Sequence, residues 1–152
     1  MAQEICLALE MPAENPTQQR LQDSLRKSQA VLVPVPVSDS AMRSRGFDVA
    51  GSIARKIAAQ LNLTNHRGLS LVRQPEDQRR LGELARFTNL HEAMRYRSSG
   101  VAGREVVLVD DVVTTGATLL EAARAVASAG NVVVGFMTFA QTHREQDAKS
   151  EK

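Results

Sequence analysis

The feature that most constrains this chain is residues 106–120, Val-Val-Leu-Val-Asp-Asp-Val-Val-Thr-Thr-Gly-Ala-Thr-Leu-Leu. Val106 to Val109 is an unbroken apolar run, the pattern of a strand covered on both faces in a parallel sheet. At its end stand two adjacent carboxylates, Asp110 and Asp111, then a Thr/Gly turn that opens a helix. Neighbouring acids repel each other and do nothing for a core. They suit a polyhydroxyl ligand that donates hydrogen bonds to both, or a site with Mg²⁺ nearby. The helix start adds free backbone N–H groups and a positive dipole end. With the hydroxyls of Thr114, Thr115 and Thr118 and the close approach that Gly116 permits, residues Thr114, Thr115, Gly116, Ala117 and Thr118 form an anion cradle. A plain strand–turn–helix with a capping Thr explains one Thr and the Gly, but leaves the acid pair unexplained.

A hydroxyl-binding pair one turn from a phosphate cradle describes a ribose 5-phosphate site. It lies at the carboxyl end of the strand, where open α/β sheets bind ligands. The rest of the chain fits such a sheet. Val31 to Val37 predicts a strand at 31–33 and an extended exit at 34–37, because Pro34 and Pro36 cannot donate to a ladder. Residues 38–46 read as a polar loop carrying Arg43 and Arg45. Asp48 then N-caps a helix whose Ala50, Ile53, Ala54, Ile57, Ala58 and Leu61 make one apolar stripe. Gly68 introduces a strand over 69–73, and 93–97 reads as an edge strand. A helix over 118–129 ends at Gly130, and 131–139 supplies the next strand, completing a βαβ unit. The expected fold is α/β, a central, mostly parallel sheet flanked by helices, with a mobile loop over 74–91. Residues 1–30 are expected to form an N-terminal helical, hood-like segment containing the Leu21–Leu25 helix. The core is then 31–140, with a polar tail at 141–152.

Composition removes several alternatives. The 152 residues are 43% hydrophobic and 24% charged, enough for one domain with a real core. Cys6 is the only cysteine, so no intrachain disulfide or Cys-based zinc site can form, and a cytoplasmic location is expected. No apolar stretch approaches the roughly 20 residues that cross a bilayer. A net charge of +2 and 3% aromatic residues argue against direct nucleic-acid binding. His66, His91 and His143 lack metal-ligand spacing.

The 106–120 segment resembles the phosphoribosyl-pyrophosphate signature of the type I phosphoribosyltransferases. Val33-Pro-Val-Pro-Val37 with Arg43-Ser-Arg-Gly-Phe47 is similar to the Pro-x-Pro…Arg-Gly-Phe-Asn segment of their ComF-like branch. Asp77-Gln-x-x-Leu81 with Arg86-x-x-Asn89-Leu90 is similar to that branch's flexible-loop region. Two departures stand out: the branch's N-terminal four-cysteine zinc module cannot form with Cys6 alone, and Asp48 replaces the usual Asn.

The resemblance implies that Asp110 and Asp111 contact the ribose hydroxyls as the catalytic pair. Residues 114–118 would hold the 5-phosphate, and Val35, Pro36, Arg43 and Arg45 would face the pyrophosphate, with a strained peptide at 34–37. It implies Mg²⁺ carried by the ligand, with no direct protein ligand to the metal, and transfer of phosphoribosyl from phosphoribosyl pyrophosphate to a nitrogen nucleophile. Arg73, Arg79, Arg80 and Arg86 surround the loop that would close over the diphosphate. The other function the resemblance allows is a non-catalytic, nucleotide-sensing or assembly module linked to DNA uptake (competence) through partner proteins. Homodimers are common in the family, though nothing in the sequence marks an interface. Neither acceptor nor general base is evident.

Overall fold

A computed structural model describes residues 3–6, 23–73, 90–113 and 116–141. Its centre is a five-stranded sheet of β1 (Gln3–Cys6), β2 (Val31–Pro34), β3 (Thr64–Asn65), β6 (Glu105–Val113) and β7 (Val132–Gln141). Their order is β1-β7-β6-β2-β3, and every pairing is parallel. β1 is an element the sequence did not announce: four residues align Gln3 with Gly135 and Cys6 with Thr138. Parallel neighbours need crossovers. Here these include α3 (Val49–Leu61) between β2 and β3, and α4 (Ala117–Ser128) between β6 and β7.

Strand alternation divides the core into two layers. Val31, Val33, Val106 and Leu108 pack with Leu119, Ala122 and Val126 of α4. Leu32, Val107 and Val109 pack on the other face with Ala54, Ile57, Ala58 and Leu61 of α3, joined by Leu25 from a helix, α1, over 23–28. Val106, Val107, Leu108 and Val109 are each at most 1% exposed, as an apolar run covered on both faces requires.

Two expectations are corrected. Residues 38–46 are not a loop but enclose a short helix, α2 (Asp39–Arg45). Its signal is in its caps. The Ser38 hydroxyl accepts from the Ala41 N–H at 3.3 Å. Gly46, at φ 77°, closes the helix by donating to the Met42 carbonyl at 2.8 Å. Seven mostly polar residues carry too little apolar periodicity to show as a helix by pattern alone.

The strand near 93–97 is β5 (Met94–Tyr96), and it does not border the central sheet. It pairs antiparallel with β4 (Leu69–Leu71) in a separate two-stranded ribbon. A two-stranded ribbon is marginal alone, and α4 supplies what it lacks. The buried Glu121 carboxylate accepts the Met94 N–H at 2.9 Å, and Arg124 donates to the Met94 carbonyl at 3.0 Å. Arg124 and Glu121 also pair with each other at 2.7 Å. Burial pushes the Glu121 carboxyl upward, but the bonds from Arg124 and the Met94 N–H outweigh it and hold the group below its ordinary value. The ribbon is further tied by Tyr96, whose hydroxyl lies 3.1 Å from His66 Nδ1. Gly68 has to be glycine, since a Cβ there would lie 2.5 Å from the Arg97 carbonyl oxygen.

Candidate functional site

Asp110 and Asp111 lie within β6, which runs on to Val113, and not at the terminus the apolar run suggested. Asp110 aligns with Thr138 of β7, and Val112 with Ala140. Alternation therefore sends the two carboxylates toward opposite faces, Asp110 toward the α4 side and Asp111 toward α2. Asp110 is 8% exposed, and its Oδ1 accepts the Asp111 N–H at 2.8 Å. Burial pushes its carboxyl up to about 7. The Asp111 N–H works against that shift, the negative charge of Asp111 adds to it, and Arg45 lowers it slightly.

The strand exit at 34–37 runs beside this pair. Pro34 aligns with Val109, and the Val35 N–H donates to the Val109 carbonyl at 2.8 Å. Val35 is thus held against Val109, the residue before Asp110. The strained peptide does not appear there: no peptide bond among the described residues is cis, and none of residues 34–37 has a positive φ.

From Val37 the chain enters α2, whose last turn holds Arg43 and Arg45. Arg45 reaches back to β6 and pairs through its guanidinium with the Asp111 carboxylate. Arg43, two residues earlier in the same turn, is exposed. Asp48, the residue that replaces Asn, accepts the Gly51 N–H at 2.8 Å as N-cap of α3 and pairs with Arg67 at 2.5 Å. Its carboxylate serves helix and ion pair.

The helix expected to open the cradle starts at Gly116, the N-cap of α4, at φ 74° and ψ −2°. A Cβ at Gly116 would meet nothing within 4 Å, so glycine is required for its left-handed backbone and not for space. Gly116 itself carries no side chain to cap the helix start. Ala117 is buried and Thr118 half-buried; Thr114 and Thr115 lie outside the described residues. So do Asp77, Arg79, Arg80, Leu81, Arg86, Asn89 and His143, which include most of the expected mobile loop. That loop's flanks are tied together: Val72 N–H donates to the Ala93 carbonyl at 2.8 Å and Arg73 to the His91 carbonyl at 2.9 Å.

Among the described residues, no group of three or more His, Cys, Asp or Glu side chains could hold a metal ion. Asp110 and Asp111 alone make no cage, and Asp111 already faces Arg45. That donor set suits Mg²⁺ brought by a ligand's own oxygens, with one or two carboxylates at most. Among the described residues no helix is long and apolar enough to cross a membrane.

Contacts that the sequence did not reveal include the Arg45–Asp111 pair and the grip of Glu121 and Arg124 on Met94. The first joins residues 66 apart in sequence, and no local pattern announces it. The second had a partial signal, opposite charges at i and i+3 on one helix face.

Residues 13–152 match the model of the phosphoribosyl transferase domain. A 39-residue stretch is 51% identical to an orotate phosphoribosyltransferase of Pyrobaculum islandicum, covering 26% of this chain and 20% of that protein. The chain thus aligns with about a fifth of the length of that curated relative. Among solved structures, adenine phosphoribosyltransferase of Leishmania donovani superposes with a TM-score of 0.43 at 18% identity, over 91% of this chain and 73% of that one. The Leishmania tarentolae adenine phosphoribosyltransferase gives 0.43 at 17%, over 84% and 72%. With an acid pair on β6, a glycine-opened α4 and a family match over nearly its whole length, this chain belongs to the phosphoribosyl transferase domain family.

Proposed function

We propose that this protein binds phosphoribosyl pyrophosphate with Mg²⁺ and transfers its phosphoribosyl group to a nitrogen nucleophile, releasing pyrophosphate. One observation carries the reading. A nearly buried carboxylate, Asp110, with no ion-pair partner among the described residues, stands at the ligand-binding end of a parallel sheet, on the strand that leads to the Gly116 helix start. A core gains nothing from a buried acid. A ribose whose hydroxyls donate to it adds partners to the one bond it accepts from the Asp111 N–H.

In this reading Asp110, and Asp111 once it turns from Arg45 toward the same ligand, accept hydrogen bonds from the ribose hydroxyls. Residues 114–118 hold the 5-phosphate on the helix mouth, and Val35, Pro36, Arg43 and Arg45 face the diphosphate. Arg45 leaves Asp111 as ligand enters, exchanging one anionic partner for another. The anomeric carbon–oxygen bond breaks, its electron pair leaving with pyrophosphate. The acceptor nitrogen's lone pair forms the new bond and its proton is lost to solvent or a base. The carboxylates beside the ribose stabilise the positive charge that develops. Mg²⁺, when bound, supplies charge neutralisation of the leaving diphosphate.

Calorimetry with phosphoribosyl pyrophosphate, with and without Mg²⁺, tests the site. Wild type binds, and Asp110→Asn with Asp111→Asn binds far more weakly; equal binding by both proteins refutes the assignment. A pyrophosphate-release screen over purines, pyrimidines, orotate and amines then tests turnover. Binding without release from any acceptor favours the ComF-like reading, a nucleotide-sensing or assembly module of DNA uptake. That reading is supported by the Arg-Gly-Phe segment around Gly46.

A further inference from the structure

At the amino end of the central sheet, opposite the acid pair, lies a cavity of about 540 Å³. Arg26 and Gln29 line it from the end of α1, Gln60 and Asn62 from the end of α3, Thr64 from β3 and Arg104 from the approach to β6. Thr64 aligns with Val31 and Val31 with Val106, so these residues meet where three parallel strands begin. The six residue steps from Arg104 to Asp110 span about 20 Å of extended chain. No carboxylate lines the cavity. Arg104 is half-buried, and no acid among the described residues pairs with it or with Arg26. The Arg104 guanidinium donates to the Gln29 carbonyl and, at 3.2 Å, to the Thr64 hydroxyl. Those bonds fix its plane and use two of its five N–H donors. Arg26 reaches the Gln60 carbonyl at 3.5 Å, a long bond. Burying a cation is costly unless an anion completes it. The backbone points the same way. Gln29 at φ 50° and Asn62 at φ 54° are both left-handed. Glycine is the usual residue for such a helix end, yet both positions keep an amide side chain in the cavity wall.

We infer that this cavity is a second ligand site, taking a small phosphorylated polyhydroxyl compound of the sugar phosphate class. The two guanidinium groups meet the phosphate oxygens. The carboxamides of Gln29, Gln60 and Asn62, with the Thr64 hydroxyl, can donate to or accept from sugar hydroxyls. The volume is that of an ordinary small-molecule site. No aromatic ring lines the cavity, so a nucleobase finds nothing there to stack on. Such a ligand leaves Asp110 and Asp111 free, and the site stands whether or not the proposed function holds.

The test is an amide-resolved NMR titration of the full chain with inorganic phosphate, glucose 6-phosphate and glucose. Glucose 6-phosphate moves the amides of Asn62, Leu63, Thr64 and Arg104 saturably. Phosphate moves the same amides with lower affinity, and glucose moves none. Arg104→Ala weakens binding about 10- to 100-fold, the loss of a charged hydrogen bond, and Arg104→Lys recovers part. Arg104→Ala also unties Gln29 and Thr64. Arg26→Ala, at an exposed residue, spares the fold and weakens binding about 2- to 5-fold. Asp110→Asn with Asp111→Asn leaves the affinity as it is. The site is overturned by the absence of saturable shifts at these amides with about 10 mM of either phosphate compound. Affinities that both alanine variants leave untouched, or shifts that vanish in the acid-pair variant, overturn it equally. Phosphate binding as tightly as glucose 6-phosphate refutes the sugar phosphate assignment. A loss of stability in Arg104→Ala with no ligand effect makes the arginines ties for the helix ends alone and refutes the inference.

Discussion

Arg45 at the end of α2 and Asp111 on β6 form an ion pair across the mouth of the candidate site, joining the segment after the first core strand to the acid pair. The arginine side chain is 46% exposed and the aspartate side chain 18%. A pair so open to solvent is worth at most about 1 kcal/mol to folding. In the proposed function its value is positional, since it keeps a guanidinium where the diphosphate would arrive.

Arg45→Ala is therefore expected to move the thermal midpoint little, within about 1 kcal/mol of wild-type stability. It should lower affinity for phosphoribosyl pyrophosphate about 10- to 100-fold more than affinity for ribose 5-phosphate, the loss of a charged hydrogen bond to the diphosphate. Arg45→Lys keeps the charge but not the fork, and should recover only part. Calorimetry with the two ligands reads the difference. Equal losses for both would place Arg45 at the ribose and not at the diphosphate.

The raised Asp110 carboxyl gives a pH dependence with a definite sign. An acid at about 7 in the folded chain and near 3.8 when unfolded keeps its proton longer in the native state. Between those values the folded state binds more protons, so stability falls as pH rises from about 4 to about 7. The loss is on the order of 4 kcal/mol at its ceiling. Asp110→Asn removes this dependence and should be more stable than wild type at pH 8, with the gap closing toward pH 4. Chemical denaturation across that range checks it. A gap of constant size would show that Asp110 does not titrate there.

Glu121→Ala leaves the Met94 N–H and the Arg124 guanidinium without their acceptor, at a cost of about 1–3 kcal/mol. Glu121→Gln keeps an acceptor oxygen and should cost less. Urea midpoints of the two variants give the comparison, and a smaller loss for alanine than for glutamine would contradict the geometry.

Gly68→Ala places a methyl 2.5 Å from the Arg97 carbonyl oxygen and against the His66 ring. Overpacking against backbone should cost about 1–3 kcal/mol. Gly116→Ala meets no neighbour but forces an alanine to φ 74°, about 1 kcal/mol. The two glycines thus separate by mechanism: crowding at one, backbone conformation at the other. Thermal unfolding of both alanine variants would show the order, with Gly68→Ala the less stable.

The parts of this fold readable from sequence were those encoded by local pattern. The four-residue apolar run at Val106–Val109 announced a doubly covered strand, and Asp48 with its stripe to Leu61 announced α3 to within a residue. Elements whose existence depends on distant partners were not readable. β1 is four residues that become a strand by lying against β7. β5 looked like a sheet edge because its alternation is the same whether its neighbour is β4 or the central sheet. The helix α2 was written in Ser38 and Gly46, in caps and not in periodicity. At the site, residue types showed the acid pair and the glycine turn, while the Arg45 contact required the fold to bring α2 over β6. The strand's continuation to Val113, which turns the two acids to opposite faces, rests on pairing with β7 through Gln141.

The hold of Glu121 and Arg124 on Met94 also marks one amide for kinetic observation. The Met94 N–H is protected by a side chain of α4 and not by a ladder partner on β4. Its exchange with solvent deuterium therefore reports separation of the ribbon from α4, whether or not the two strands stay zipped together. The Val72 N–H, bonded to the Ala93 carbonyl, reports the opening of the ribbon itself. Two amides, one on each strand's side, would then time two different events at the foot of residues 74–89.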